Sequence, residues 1–353
     1  MPIATRAFAA VAADQPLEPH RFDRRDPGPD DVAIEIKYCG VCHSDLHVAR
    51  NDLGGTRYPI VPGHEIAGVV TAVGGNVARF KAGDRVGVGC MVDSCRTCPA
   101  CRAGEEQYCG PGMTQTYGSR DPLGEAVGQS ITQGGYSDRI TVNQDFVLRI
   151  PDALPLDAAA PLLCAGVTTY SPLRHWNVGP GSKVAVVGLG GLGHMAVKLA
   201  HAMGAEVTVL STSDRKKADA ERMGARHFLV NSDKAAMKAA AETFDLIINT
   251  VSATHEIAGH LNLLARDGTM VMLGLTTEAM PVYAMPLLWR RRAVAGSLIG
   301  GVRETQEMLD FCAEHGIACD IELIAPDQIN EAYARMERSD VRYRFVIDMA
   351  RMN

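Results

Sequence analysis

Long apolar runs are what this chain most conspicuously lacks. Nowhere in its 353 residues does an uninterrupted apolar stretch approach the ~20 residues that a membrane-spanning helix needs, so no membrane is expected as a partner. No secretory leader is expected either, since no N-terminal run joins positive charge to an apolar core. Positive charge is not in excess: 35 Lys and Arg face 41 Asp and Glu, for a formal net charge of −6. That balance argues against generic binding to nucleic acid or to anionic lipid. No internal repeat or low-complexity tract interrupts the chain. These absences leave a cytoplasmic globular protein as the expectation.

What is present is ordinary in bulk, with 46% hydrophobic and 22% charged residues, and the length is comfortable for two domains. Up to about residue 150 the chain shows short Val/Ile runs, such as Asp31–Tyr38, Gly68–Val73 and Asp84–Val88, separated by Gly, Pro and Asp. That rhythm predicts a β-rich or barrel-like domain. From about Lys183 it changes to alternating strands and helices: Val184–Val187, a helix, Glu206–Ser211, a charged helix, His227–Val230, then Phe244–Thr250 and Thr269–Gly274. Such alternation predicts a doubly wound parallel sheet. Beyond about Arg292 come a helix at Glu304–His315 and a last strand from Arg344, suited to rejoining the first half.

The apolar run Val184–Val187 flows into Gly188-Leu189-Gly190-Gly191-Leu192-Gly193 and then an apolar helical stretch. Strand, G-x-G-x-x-G and helix in that order form the dinucleotide-binding fingerprint. The glycines tighten the turn and let backbone N–H groups approach a pyrophosphate at the helix N-terminus. Some 20 residues on, where an NAD site would carry a carboxylate for the ribose 2′-hydroxyl, the chain has Ser211, then Thr212, Ser213, Asp214, Arg215 and Lys216. Hydroxyls beside cations suit a 2′-phosphate, which a carboxylate would repel. NADP(H) is therefore expected, with Asp214 as the dissenting residue.

The ten cysteines, in a chain this large without a leader, read as metal ligands or free thiols rather than a disulfide framework. Cys95, Cys98 and Cys101 stand at C-x2-C steps and Cys109 follows in the same loop. Four thiolates close a tetrahedral zinc, so this site would be structural. A zinc-ribbon nucleic-acid module shares such steps, but here Arg96 and Arg102 mix with Glu105 and Glu106 rather than forming a basic patch. A looser set is Cys42, His64 and Cys164. Two thiols and one imidazole match the open coordination of a catalytic zinc, which acts as a Lewis acid toward an alcohol or carbonyl oxygen. Paired with a nucleotide loop, such a site points to hydride transfer.

With these residues in view, the chain resembles the zinc-dependent medium-chain alcohol dehydrogenases, most of all their cinnamyl-alcohol-dehydrogenase-like branch of aldehyde reductases. The motifs carrying the resemblance are Cys39–His47, Pro62–Val70, Gly83–Gly89, the four-thiol loop, Pro161–Leu173, Val187–His194 and Ala295–Gly301. The resemblance implies an α/β chain with a GroES-like β-rich catalytic domain (residues 1–153 and 292–353) and a Rossmann doubly wound parallel-sheet domain (154–291). It implies Cys42, His64 and Cys164 on a catalytic zinc, Glu65 able to enter its coordination, and Asp45 orienting His64. Ser44 would be the relay hydroxyl and His47 would pass the proton onward, with the nicotinamide ribose between them. His43 is implied near the pyrophosphate and Thr168 near the nicotinamide, with Thr250, Gly274, Ser297 and Ile299 around the nicotinamide half.

The substrate pocket is expected between the domains, lined by Leu53, Thr116, Pro286, Trp289 and Leu298, with Met285 and Trp289 suggesting room for an apolar or aromatic group. The expected reaction is interconversion of primary alcohols and aldehydes, broad across aliphatic, benzylic and cinnamyl substrates. Val294–Gly301 resembles the family's dimer-forming strand, though an edge strand of the same sheet is the plainer reading. A homodimer is expected. Three alternatives stand beside this reading: a zinc-free quinone reductase, a zinc-dependent polyol or sugar dehydrogenase using NAD, and a non-enzymatic zinc-binding regulatory protein.

Overall fold

The computed structural model describes residues 2–276 and 278–352. The chain forms two compact units: residues up to Cys164 together with those from Gly300 onward, and Ala165–Ile299. Both junctions fall later than the expected 153/154 and 291/292. The cause at the second is the strand Ala293–Gly296, which pairs with Leu264–Met272 and so extends the sheet of the middle unit.

In the middle unit a parallel sheet runs in the order His227–Val230, Glu206–Ser211, Lys183–Val187, Phe244–Asn249, Leu264–Met272, Ala293–Gly296. Numbered along the chain, that is 3-2-1-4-5-6, the doubly wound order, and the crevice for a dinucleotide opens beside the first strand, where the order reverses. The inner strands read as continuous apolar runs because both of their faces are covered. Val184 to Val187, Ile247 and Ile248 are all buried, and Leu261, Leu264 and Met270 pack with Ala185 and Ile247 in one core cluster. The charged stretch expected as one helix from Asp214 is a 3-10 turn, Asp214–Lys216, followed by the helix Lys217–Arg222.

The other unit is β-rich, as its short Val/Ile runs predict. Its main sheet runs Ile321–Ile324, Arg344–Asp348, Asp31–Gly40, Ile66–Val73, Arg85–Val88, Leu148–Arg149, and Arg139–Asn143 also pairs with Asp31–Gly40. The late strand Arg344–Asp348 does rejoin the first half, placing Val346 opposite Gly40 and Ile347 opposite Cys39. Cys39 in turn faces Ile66 across the next ladder. Three strand ends therefore meet where Cys42 follows one strand and His64 and Glu65 precede another. Among the described residues no helix is long and apolar enough to cross a membrane.

Candidate metal centres and cofactor loop

The first centre is built by backbone register. Gly40 N donates to the Glu65 carbonyl at 2.9 Å and Val41 N to the Phe345 carbonyl at 2.9 Å, so the loops after Gly40 and before Ile66 are held together at the head of the Arg344 strand. Cys42 is the N-cap of the short helix His43–Ala49. Cys164 arrives at the end of a buried 3-10 turn, Ala160–Leu163. One ligand atom each of Cys42, His64, Glu65 and Cys164 lies within 4.8 Å of the others, and the Cys42 and Cys164 sulfurs are 4.0 Å apart. A tetrahedron with zinc–sulfur bonds near 2.3 Å has an S–S edge of about 3.8 Å, so the donor set fits that ion.

Asp45, fully buried, organises the imidazole. His64 Nδ1 lies 3.0 Å from Asp45 Oδ1, which leaves Nε2 for a metal. Burial works against a charged His64, but Asp45 and Cys90 carry the net shift upward. A hydrogen bond with Cys164 holds the Cys42 thiol well below its usual range, against burial, and the neighbouring Cys42 and Cys90 thiols push Cys164 well above. The Ser44 hydroxyl donates to the Cys42 sulfur at 3.3 Å, and His47 Nδ1 sits 2.8 Å from Asp52 Oδ2. The His43 and His47 rings are 5.8 Å apart.

Two participants were not foreseen from the sequence. Arg344, buried at the head of its strand, forms an ion pair with Glu65 Oε1. Glu65 Oε2 is buried without a hydrogen-bond partner, a free carboxylate oxygen beside the donor set. Burial pushes Glu65 up to about 8 against the pull of Arg344. Cys90 is the second: its thiol donates to the Leu163 carbonyl at 3.9 Å, next to Cys164, and the Cys164 thiol lowers its pKa, a neighbour that spacing does not reveal.

The four-thiol loop closes as its spacing predicts. Cys95, Cys98, Cys101 and Cys109 bring their sulfurs within 4.8 Å of one another, with Cys95 and Cys101 at 3.9 Å. Backbone N–H groups of Cys98 and Gly110 donate to the Cys95 and Cys98 sulfurs at 3.3 and 3.4 Å. N–H donors from Thr97 and Cys98 bring the Cys95 thiol down to about 6. Cys109 goes up to about 11, because burial and the adjacent Cys95 and Cys101 thiols outweigh the N–H of Cys95. Four donors so arranged call for a divalent ion, and all four positions are taken.

In the middle unit, Gly188 has φ +87, and a Cβ on Gly193 would fall 1.9 Å from the Gly188 carbonyl oxygen, whereas one on Gly190 would meet nothing within 4 Å. The turn thus packs on itself through Gly193 and leaves Gly190 open, with Leu189, Gly191 and Leu192 between. Thr250 Oγ1 donates to the Val187 and Gly188 carbonyls at 2.9 and 3.1 Å. Lys216 Nζ donates to the Leu189 carbonyl at 2.8 Å, bringing a cation to the same turn. Ser211 ends its strand, and Thr212 and Ser213 follow it into the turn. Gly274 N reaches the Asn249 carbonyl at 3.3 Å and Ser297 N the Met272 carbonyl at 3.4 Å. Ile299 has φ +37. Thr168 Oγ1 is buried without a partner.

The expected substrate contacts are dispersed over the two units. Leu53 is exposed and Thr116 is buried with its hydroxyl on the Gly89 carbonyl at 2.5 Å. Leu298 is exposed. Pro286 and Trp289 line a groove of about 420 Å³ in the middle unit with Glu242, Asn262, Met285 and Arg292.

Residues 28–152 match the alcohol dehydrogenase GroES-like domain and residues 191–314 the zinc-binding dehydrogenase domain. NADP-dependent alcohol dehydrogenase C 1 of Mycolicibacterium smegmatis is 59% identical over 345 residues, 98% of this chain and 97% of that protein. Aldehyde reductase YahK of Escherichia coli is 55% identical over 345 residues, 97% of each. The crystal structure of a cinnamyl alcohol dehydrogenase from Helicobacter pylori, complexed with NADP(H), superposes with a TM-score of 0.93 at 42% identity, covering 100% of both chains.

Proposed function

The chain belongs to the zinc-binding alcohol dehydrogenase family, and from that premise we propose that it interconverts primary alcohols and aldehydes with NADP(H), acting broadly on aliphatic, benzylic and cinnamyl-type aldehydes. Support comes from relatives named as NADP-dependent alcohol dehydrogenase and aldehyde reductase at 59% and 55% identity. The single observation that carries the reading is the three-donor set Cys42, His64 and Cys164, with Glu65 held beside it by Arg344. A sugar dehydrogenase using NAD is disfavoured by Ser211 and Lys216 at the cofactor turn, and a zinc-free reductase by the donor set itself.

Two zinc ions per chain are assigned, one to Cys42, His64 and Cys164, the other to Cys95, Cys98, Cys101 and Cys109. Bound zinc supplies Lewis acidity toward the substrate oxygen, and the nicotinamide supplies the hydride. The chain's own share is positioning and proton movement. Asp45 fixes the tautomer of His64. Ser44 turns its hydroxyl from the Cys42 sulfur to the substrate oxygen and gives it a proton in reduction, and His47, oriented by Asp52, restores that proton from solvent. Reduction consumes one aldehyde, one NADPH and one proton and yields one alcohol and NADP+; oxidation reverses each step.

Cofactor contacts are assigned to Gly188–Gly193, to Ser211, Thr212, Ser213 and Lys216 for the 2′-phosphate, and to His43, Thr168, Thr250, Gly274, Ser297 and Ile299. Leu53, Thr116, Pro286, Trp289 and Leu298 are the proposed substrate contacts. A homodimer through the edge strand Ala293–Gly296 and a cytoplasmic location complete the reading. NADPH and NADH consumption with benzaldehyde and cinnamaldehyde, before and after chelation, tests it. NADPH-dependent turnover abolished by metal removal is expected. Turnover that survives complete metal removal overturns the zinc mechanism, and none with any aldehyde overturns the enzyme.

A further inference from the structure

A buried phenol stands behind the histidine's carboxylate. Four donors converge on Asp45: Cys42 N at 2.9 Å and the Tyr136 hydroxyl at 3.1 Å reach Oδ2, while Gly63 N at 3.1 Å and His64 Nδ1 at 3.0 Å share Oδ1. That matches the roughly four acceptor sites of one carboxylate. Tyr136 is wholly buried, at 0% exposure. Burial, then the charge of Asp45, push its phenol well above the ordinary value, so it keeps its proton and donates. Behind it the Tyr333 hydroxyl, on the helix Ile329–Glu337, donates to the Tyr136 oxygen at 3.5 Å. The phenol also sits on the loop that carries the ligand. Tyr136 N donates to the Pro62 carbonyl at 2.9 Å and Gly135 N to the Gly63 carbonyl at 2.8 Å. Gln133 Oε1 accepts from Val61 N at 2.7 Å. A Cβ on Gly63, whose φ is +102, would fall 2.6 Å from Tyr136 Cδ1.

We propose that Tyr136 is a positioning residue for the metal centre: its hydroxyl pins Asp45 Oδ2, so that Oδ1 holds His64 in ligating orientation, with Tyr333 supporting it from behind. Packing alone does not require the hydroxyl. Phenylalanine fills the same space, and a buried hydroxyl is costly unless it is hydrogen-bonded. Removing it leaves Asp45 with one donor fewer and freer to rotate, and the change reaches the metal only through His64. Partners in the shell around a metal's ligands typically alter affinity or activity by 10- to 100-fold. One step further out, about 3- to 10-fold is expected for Tyr136→Phe, and less for Tyr333→Phe because its bond is long.

The inference rests on His64 being a zinc ligand, so the test measures that first. Zinc content of the wild-type protein is determined, then its release to a chromophoric chelator, for wild type, Tyr136→Phe and Tyr333→Phe. The cobalt(II) visible spectrum of each is recorded after exchange at the more labile site. Expected are two zinc ions in wild type, one of them leaving about 3- to 10-fold faster from Tyr136→Phe. A shifted cobalt band, a lower kcat with an unchanged KM for benzaldehyde, and smaller changes in the same direction for Tyr333→Phe complete the expected result. Wild type holding only the four-thiol zinc would sink the zinc reading itself. Two ions in wild type with release and cobalt spectrum unaltered in Tyr136→Phe would overturn the role of Tyr136 alone. Should Tyr136→Phe fail to fold, Tyr333→Phe decides: an unaltered release rate and cobalt spectrum there overturn the relay of phenols.

Discussion

Two glycines of one turn separate cofactor binding from packing. A methyl group on Gly193 would sit 1.9 Å from the Gly188 carbonyl oxygen and 3.2 Å from Thr250 Oγ1. Carbon and oxygen need about 3.2 Å or more, so the turn must open by over ~1 Å, and overpacking of this kind costs about 1–3 kcal/mol. Taking about 2 kcal/mol, Gly193→Ala lowers Tm by about 4–8 °C. A methyl group on Gly190 meets nothing within 4 Å, so Gly190→Ala leaves Tm within about 1–2 °C of wild type, or slightly above it through the lower entropy of the unfolded chain. Yet that empty space is where the backbone must approach a pyrophosphate. Pushing the phosphates away weakens one charge-assisted hydrogen bond, about 1.5–3 kcal/mol, or about 10- to 150-fold in Kd. NADPH fluorescence titration and thermal unfolding of both variants measure the two effects. Wild-type NADPH affinity in Gly190→Ala, or an unchanged Tm in Gly193→Ala, would refute the division of labour.

Cys42→Ala removes a ligand of the open donor set and is expected to lower kcat by ~10³-fold or more, since several kcal/mol of charge stabilisation go with the metal, while Tm stays near wild type. Cys98→Ala opens the closed four-thiol site and is expected to cost mainly stability, read as a Tm loss beyond about 5 °C, because structural zinc contributes folding energy outright. Equal losses of fold in both would show the division to be mistaken. Ser211→Asp places a carboxylate against the 2′-phosphate, and the ratio of kcat/KM for NADPH over NADH should fall by about 100-fold; an unchanged ratio removes Ser211 from the selectivity. His260 is buried, its Nδ1 has no partner, and burial lowers its pKa to about 4 from 6.5. The unfolded chain takes up a proton near pH 6.5 that the folded chain refuses until about 4. The stability conferred by neutral His260 is complete above that range and is lost as pH falls through it, at most about 3 kcal/mol. Urea titrations at pH 7 and 4.5 should show that slope in wild type and a flatter one in His260→Phe; equal slopes would exclude His260 as its source.

The four-thiol set was legible because thiols at C-x2-C steps within one loop are well spaced to surround a single ion, and the looser set because two thiols and an imidazole match an open metal site. The glycine turn was legible because strand, glycines and helix are contiguous. Arg344 and Tyr136 were not, because each meets the site only through folding: Arg344 pairs with Glu65 across 279 residues and Tyr136 reaches Asp45 across 91. Nothing local to either residue announces the contact. The second junction between the compact units, after Ile299 where 291/292 is expected, has a related reason. Ala293–Gly296 looks like any short apolar strand, and only its ladder with Leu264–Met272 assigns it to the parallel sheet.

The central claim is that Cys42, His64 and Cys164 grip one zinc ion. Anomalous scattering from crystals of the metal-replete protein, measured on both sides of the zinc edge, tests it most directly. Two peaks per chain are predicted, one among the four loop thiols and one within bonding distance of the Cys42 and Cys164 sulfurs and His64 Nε2. A peak confined to the four-thiol loop, with nothing among those three side chains, would contradict the account.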